Sequence, residues 1–118
     1  MSIKQKYGLK DLEKEYGPLT FGEALESYRL GEEISQADMA RRIGISAQSL
    51  CDIEKSRRIP TPKRAVGIAQ VIGEPEMFWI KLALQDALRK ENLKFDVFLK
   101  PSVDHVELNR VNGAIPDL

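Results

Sequence analysis

"SQADMARRIGISAQSL", residues Ser35–Leu50, is the stretch on which the fold turns. It reads as two short helices around a glycine. Ser35 is placed to cap the first, "QADMARRI", with Asp38 in the box position, and Gly44 stops it. Ser46 is placed to cap the second, "AQSLCDIEKS". Met39, Ala40 and Ile43 form the inner face of the first helix. Gly44 supplies the left-handed turn that other residues resist, and Ile45 plugs the junction. Ala40 stands where the two axes approach, so a small side chain is needed. Two short helices joined by a glycine-centred turn are the mark of a helix-turn-helix. The same pattern fits an αα-hairpin in another helical bundle.

Around this unit the apolar residues recur at three and four residues, which predicts a mostly helical chain. "LKDLEKEYG" predicts a short N-terminal helix closed by Gly17-Pro18. Thr20 with Glu23 makes a capping box for a helix that runs to about Gly31. Pro60 and Pro62 end an exit loop and start "KRAVGIAQVI", stopped by Gly73. Glu74-Pro75 opens a longer helix to about Glu91. "LKFDVFLK" alternates Phe95, Val97 and Leu99 and reads as a short strand. From Pro101 the chain is polar, with an Asn112-Gly113 turn.

Composition bounds the function. The chain has 118 residues, 42% of them apolar and 31% charged, enough for one small domain and a tail. No apolar run approaches the roughly 18 residues of a membrane span, and Met1–Glu15 lacks the apolar core of a signal peptide. The single cysteine, Cys51, cannot staple the fold, so a soluble, cytoplasmic protein is expected. His105 has no Cys or carboxylate cluster at metal spacing, and neither a metal nor a cofactor is expected. No nucleophile–base pair, carboxylate pair or phosphate-cradling loop stands out, so nothing points to an enzyme.

Net charge is zero, yet unevenly laid out. From Asp11 to Glu33 there are seven acids and two bases; from Arg41 to Arg64, seven bases and two acids. A neutral total therefore hides one basic surface, the footprint of a nucleic-acid partner.

On a helical wheel with Leu50 facing the core, Ile53 lies beside it. Gln48, Asp52 and Lys55 point away, Cys51 and Ser49 flank them, and Ala47 lies near the border. Glu54 points nearly inward. A half-buried acid needs a cation, and Arg29 near the end of the preceding long helix is the candidate.

With these residues in place, the segment from Thr20 to about Gly73 resembles the lambda-repressor/Cro family of helix-turn-helix domains, the Xre-type regulators. The resemblance is carried by Arg29, "SQADMARRIGIS" and "LCDIEKSRRIP", and covers roughly half the chain. It implies an all-α, five-helix DNA-binding domain acting as a dimer, and the same Arg29–Glu54 pair. Helix 47–55 would enter the major groove by its N-terminal end. Base readout would fall to Ala47, Gln48, Ser49 and Asp52, with Gln48 suited to adenine. Gln36 and Ser46 would hold phosphates, joined by Lys55, Arg57 and Arg58, and by Lys63 and Arg64. The family often has Asn-Gly after the Glu, where this chain has Lys55-Ser56, so the exit loop is expected to differ in shape.

The expected layout is an N-terminal extension (1–19), a helix-turn-helix domain (20–92), and a short strand with a polar tail (93–118) for dimerisation or partner contact. The wide apolar arc of the last helix, Met77 to Leu88, exceeds what one domain face needs and points to a homodimer. Trp79 and Phe78 are expected in the core or at that interface. The implied function is a dimeric repressor binding double-stranded DNA. The alternative is an antitoxin that binds a toxin protein through Pro101–Leu118 and represses its own operon. A helical protein-interaction module is the third possibility.

Overall fold

Hydroxyl side chains open four of the five helices in the computed structural model, which describes residues 18–103. The helices are α1 (Phe21–Gly31), α2 (Gln36–Ile43), α3 (Ala47–Glu54), α4 (Pro62–Ile72) and α5 (Glu76–Lys90). Thr20 accepts from the Glu23 N–H while the Glu23 carboxylate accepts from the Thr20 N–H, a complete capping box. Ser35, Ser46 and Thr61 accept from Asp38, Ser49 and Arg64 N–H in the same way. Each such cap contributes about 1 kcal/mol. Pro62 stands in the first turn of α4, where its missing N–H costs nothing.

Between α2 and α3 the chain turns on Gly44, whose φ of 87° lies in the left-handed region. Gly44 N–H and Ile45 N–H both donate to the Ala40 carbonyl, at 2.8 and 3.0 Å, closing α2. Ile45 then packs partly buried against the core. Beyond α1 the left-handed residue is Glu33 (φ 58°), two positions after Gly31.

The core is built from one stripe of each helix. Phe21 and Leu25 of α1, Met39 and Ala40 of α2, Leu50 and Ile53 of α3, Ala65 and Ile68 of α4, and Trp79 of α5 are all buried. Trp79 meets Phe21 edge-on, with ring centroids 5.2 Å apart. Its neighbour Phe78 stays 40% exposed on the surface. α5 packs chiefly along α4 and reaches α1; α3 rests on α1 and α2. No helix among the described residues is long and apolar enough to cross a membrane.

One junction was not legible in the apolar pattern. Asp86 of α5 is buried and accepts from the Phe21 N–H at 2.9 Å, so α5 ties down the first turn of α1. A carboxylate there also meets the positive end of the helix dipole.

The strand expected at Phe95–Leu99 is not formed, and the described residues contain no strand at all. The physical reason is the Gln85 side chain. Its Nε2 donates to the Phe95 carbonyl at 2.6 Å and its Oε1 accepts from the Val97 N–H at 2.9 Å. One amide thus takes the place of a neighbouring strand, and the segment is held against α5 rather than in a sheet. The expected N-terminal helix at 9–17, most of the 1–19 extension, His105 and the Asn112-Gly113 turn lie outside the described residues.

Candidate nucleic-acid interface

The site begins with the network that fixes α3. Arg29 Nε donates to Glu54 Oε2 at 2.7 Å and Arg29 Nη2 to Glu54 Oε1 at 3.1 Å, a two-point grip between α1 and α3. Both side chains are buried. The hydrogen bond to Glu54 raises the Arg29 guanidinium above the usual arginine value, against the opposing effect of burial. Arg29 Nη1 spends its remaining reach on the Ile34 carbonyl, at 2.9 Å. Gln36, the first residue of α2, adds a third arm: its Nε2 donates to Glu54 Oε1 at 2.9 Å. One buried carboxylate therefore joins α1, α2 and α3.

With its inner face locked, α3 turns the other face outward. Ser46, Ala47 and Gln48 are exposed, and Ser49, Cys51 and Asp52 are half-buried. Ser46 receives the Ser49 N–H and donates its hydroxyl to Ser49 Oγ at 3.0 Å. The N–H groups of Ala47 and Gln48 are left at the open end of the helix, where an anion is favoured.

Along the exposed face the side chains are linked. Gln48 Nε2 donates to Asp52 Oδ1 at 3.1 Å, one helical turn on. Arg57 Nε donates to the same Oδ1 at 2.9 Å, and Arg57 Nη2 reaches Cys51 Sγ at 3.4 Å. These two donors, Arg57 first and Gln48 second, hold the Asp52 carboxyl below the usual carboxylate range. The same bond to Asp52 raises the Arg57 guanidinium.

Arg57 comes back to α3 because of the exit turn. Ser56 adopts φ 63°, the left-handed conformation, where the family often places glycine. The N–H groups of Arg57 and Arg58 then both donate to the Asp52 carbonyl, at 2.8 and 3.1 Å. Ser56 takes here the left-handed conformation that glycine adopts readily, so the exit turn forms without a glycine and carries Arg57 back toward Asp52.

The other basic residues between Arg41 and Arg64 divide into two sets. Lys55 pairs with Glu26 of α1, Nζ to Oε2 at 3.3 Å, and Arg41 pairs with Asp38. Arg42, Arg58, Lys63 and Arg64 are exposed and have no ion-pair partner among the described residues. They lie on α2, the exit loop and the first turn of α4, the elements before and after α3 in the chain.

The structure thus brings Ser46, Ala47, Gln48, Ser49 and Asp52 onto one face. It places Gln36 inward on Glu54, Lys55 against α1 and Arg57 on Asp52, which leaves Arg58 as the unpaired cation of the exit loop. Sequence reasoning missed the Gln36–Glu54 and Arg57–Asp52 bonds. The four-residue spacing of Gln48 and Asp52 is itself a readable signal for a helix-surface pair. No group of three or more His, Cys, Asp or Glu side chains that could hold a metal occurs among the described residues.

No curated protein and no solved structure matches the chain significantly. Residues 25–79, from Leu25 in α1 to Trp79 in α5, match the family model described as helix-turn-helix. With α2 and α3 set around Gly44 as that motif requires, this segment is similar to the lambda-repressor/Cro-like helix-turn-helix domains, a DNA-binding family.

Proposed function

We propose that this protein is a sequence-specific transcriptional regulator, a dimeric repressor that occupies its operator and inserts the N-terminal end of α3 into the major groove. The observation that carries this reading is the division of α3 into two faces. Leu50, Ile53 and Glu54 are buried and locked, while Ala47, Gln48, Ser49 and Asp52 lie together on the outer side. A rigid reading face is what base recognition requires.

In this reading Gln48 is the principal base reader and Ala47 offers apolar contact to a thymine methyl. The open N–H groups behind Ser46 take one phosphate. Arg58, Lys63 and Arg64 supply the salt-dependent attraction, with Gln36, Lys55 and Arg57 in supporting positions. Residues 20–92 form the DNA-binding unit and 93–118 the dimer or partner contact.

Dimerisation is supported by exposed aromatic side chains on α5 and the segment after it. Phe78, Lys81 and Gln85 share one side of α5 at helical spacing. Gln85 holds the Phe95–Val97 backbone there, and Lys81 Nζ lies 5.6 Å from the Phe98 ring centroid. Phe95 is 65% and Phe98 85% exposed, more apolar surface than a monomer of this size gains by leaving open. A second copy of the chain is the occupant we assign. The antitoxin alternative rests on Pro101–Leu118, most of which lies outside the described residues; co-purification of a small toxin would favour it.

Selection of bound duplexes from a randomised pool tests the proposal. A palindrome with half-sites about 34 Å apart, one helical turn, is the expected result. Recovery of no preferred sequence contradicts it.

A further inference from the structure

The outer face of α3 contains a carboxylate where a helix facing DNA should avoid one, since Asp52 would repel phosphate and, being an acceptor only, could take hydrogen bonds from nothing but the amino groups of cytosine and adenine among the bases. Its bonds give it another task. Gln48 Nε2 donates to Asp52 Oδ1 at 3.1 Å, and Arg57 Nε donates to the same oxygen at 2.9 Å. We propose that Asp52 is a positioning residue for base recognition: it holds the Gln48 amide in the orientation that reads adenine, while Arg57 offsets its charge. The proposal rests on the reading of α3 as the groove helix and deepens it.

An amide has two orientations about its last torsion, related by exchange of oxygen and nitrogen. In water they are nearly equal, so a free glutamine reads a base poorly until one is selected. An ionised carboxylate is an acceptor only. It bonds the NH2 group and repels the amide oxygen, so the flipped form at Gln48 sets two acceptors against each other. With one N–H spent on Asp52, Gln48 retains Oε1 and a second N–H. That acceptor and donor are the pair a bidentate contact uses on adenine N6–H and N7. Preorganising them removes an ordering cost from each binding event.

Arg57 makes the arrangement tolerable next to a polyanion. Its backbone N–H also donates to the Asp52 carbonyl, at 2.8 Å, so Asp52 anchors the arginine by main chain and side chain together. The left-handed Ser56 sets up this return. With Arg57 and Gln48 both holding it below the usual carboxylate range, Asp52 stays ionised, and hence an acceptor, at neutral pH.

Positioning and direct contact predict different results at different base positions. The experiment is selection of bound duplexes from a randomised pool by wild type, Gln48→Ala, Asp52→Asn and the double variant, each first shown to melt cooperatively. Asparagine keeps the size of Asp52 but presents either a donor or an acceptor, so the lock is lost. Gln48→Ala should abolish the preference at one base position, where a bidentate contact is worth roughly 5- to 100-fold. Asp52→Asn should lower that same preference to about 2-fold while affinity for random-sequence DNA rises, because a negative charge is gone. The double variant should show no further loss there.

Full preference at the Gln48 position in Asp52→Asn overturns the proposal, as does a loss confined to another position, which would make Asp52 a base reader itself. If wild type selects a site and Gln48→Ala selects it equally well, this inference falls while the reading of α3 stands. If wild type selects nothing, both fall.

Discussion

Gly22 lies so close to the carbonyl oxygen of Ile53 that a Cβ built on it would fall 2.2 Å from that oxygen, and 2.7 Å from the carbonyl oxygen of Glu54. Both obstacles are backbone, at the C-terminal end of α3. The first turn of α1 therefore touches α3 through a position that admits no side chain. Gly22→Ala should force the two helices apart and destabilise the fold by about 1–3 kcal/mol or more, although alanine is the better helix former. Urea unfolding should show a lower midpoint with an unchanged slope. A midpoint at or above wild type would contradict the packing described.

Glu54 accepts three side-chain hydrogen bonds, two from Arg29 and one from Gln36. Removing it leaves a buried guanidinium without its counter-charge. Glu54→Ala should cost about 3–5 kcal/mol, the range for breaking rather than replacing a buried ion pair. Gln36→Ala should cost less, about 1 kcal/mol, because Arg29 still satisfies the carboxylate. Equal melting temperatures for Glu54→Ala and wild type would remove the network from the account.

Ser56 occupies the left-handed region at φ 63°, and its hydroxyl makes only a 3.4 Å contact to Thr20 Oγ1 in return. A residue with a Cβ is strained there, by roughly 1 kcal/mol. Ser56→Gly should therefore stabilise the protein, raising Tm by roughly 4–8 °C per kcal/mol for a domain of this size. A calorimetric scan that finds Tm lowered would show that the serine contributes something the backbone strain does not reveal.

Asp86 gives a pH signature. Burial pushes its carboxyl above the usual range, against the pull of the Phe21 N–H and the charge and hydrogen bond of Arg89. The folded protein thus holds this proton more tightly than the unfolded chain. The stability so contributed is complete below the ordinary carboxylate value and is lost as pH rises through the raised one. Asp86→Asn cannot titrate. Wild-type stability measured against that variant should therefore increase as pH falls from about 7 to about 4. A difference that stays flat or shrinks would contradict the assignment.

How much was legible from the residues follows from the range of each interaction. Caps and stops are local, so Thr20, Ser35, Ser46 and Gly44 could be placed from sequence alone, and the helices they bound are found where those residues put them. The face of α3 followed from its period, which also singled out Glu54 as an inward acid. Alternation at Phe95, Val97 and Leu99 suggests a strand but says nothing of a partner, and the backbone there is held by the Gln85 side chain instead. Gly22 is silent for a similar reason: the contact that requires it comes from backbone 31 and 32 residues away, at Ile53 and Glu54. The return of Arg57 depends on the sign of one φ angle, at Ser56, which a serine does not announce.

Sequence-specific binding through α3 and the cations of the neighbouring elements is the central expectation for this protein. The direct measurement is a titration of a fluorescent duplex bearing the selected site, and of a scrambled duplex of equal composition, across a series of salt concentrations. Wild type should prefer the selected duplex by about 10³-fold or more. Arg58→Ala should weaken both duplexes alike and reduce the salt slope by about one. Equal affinity of wild type for the two duplexes at every salt concentration would contradict the central claim.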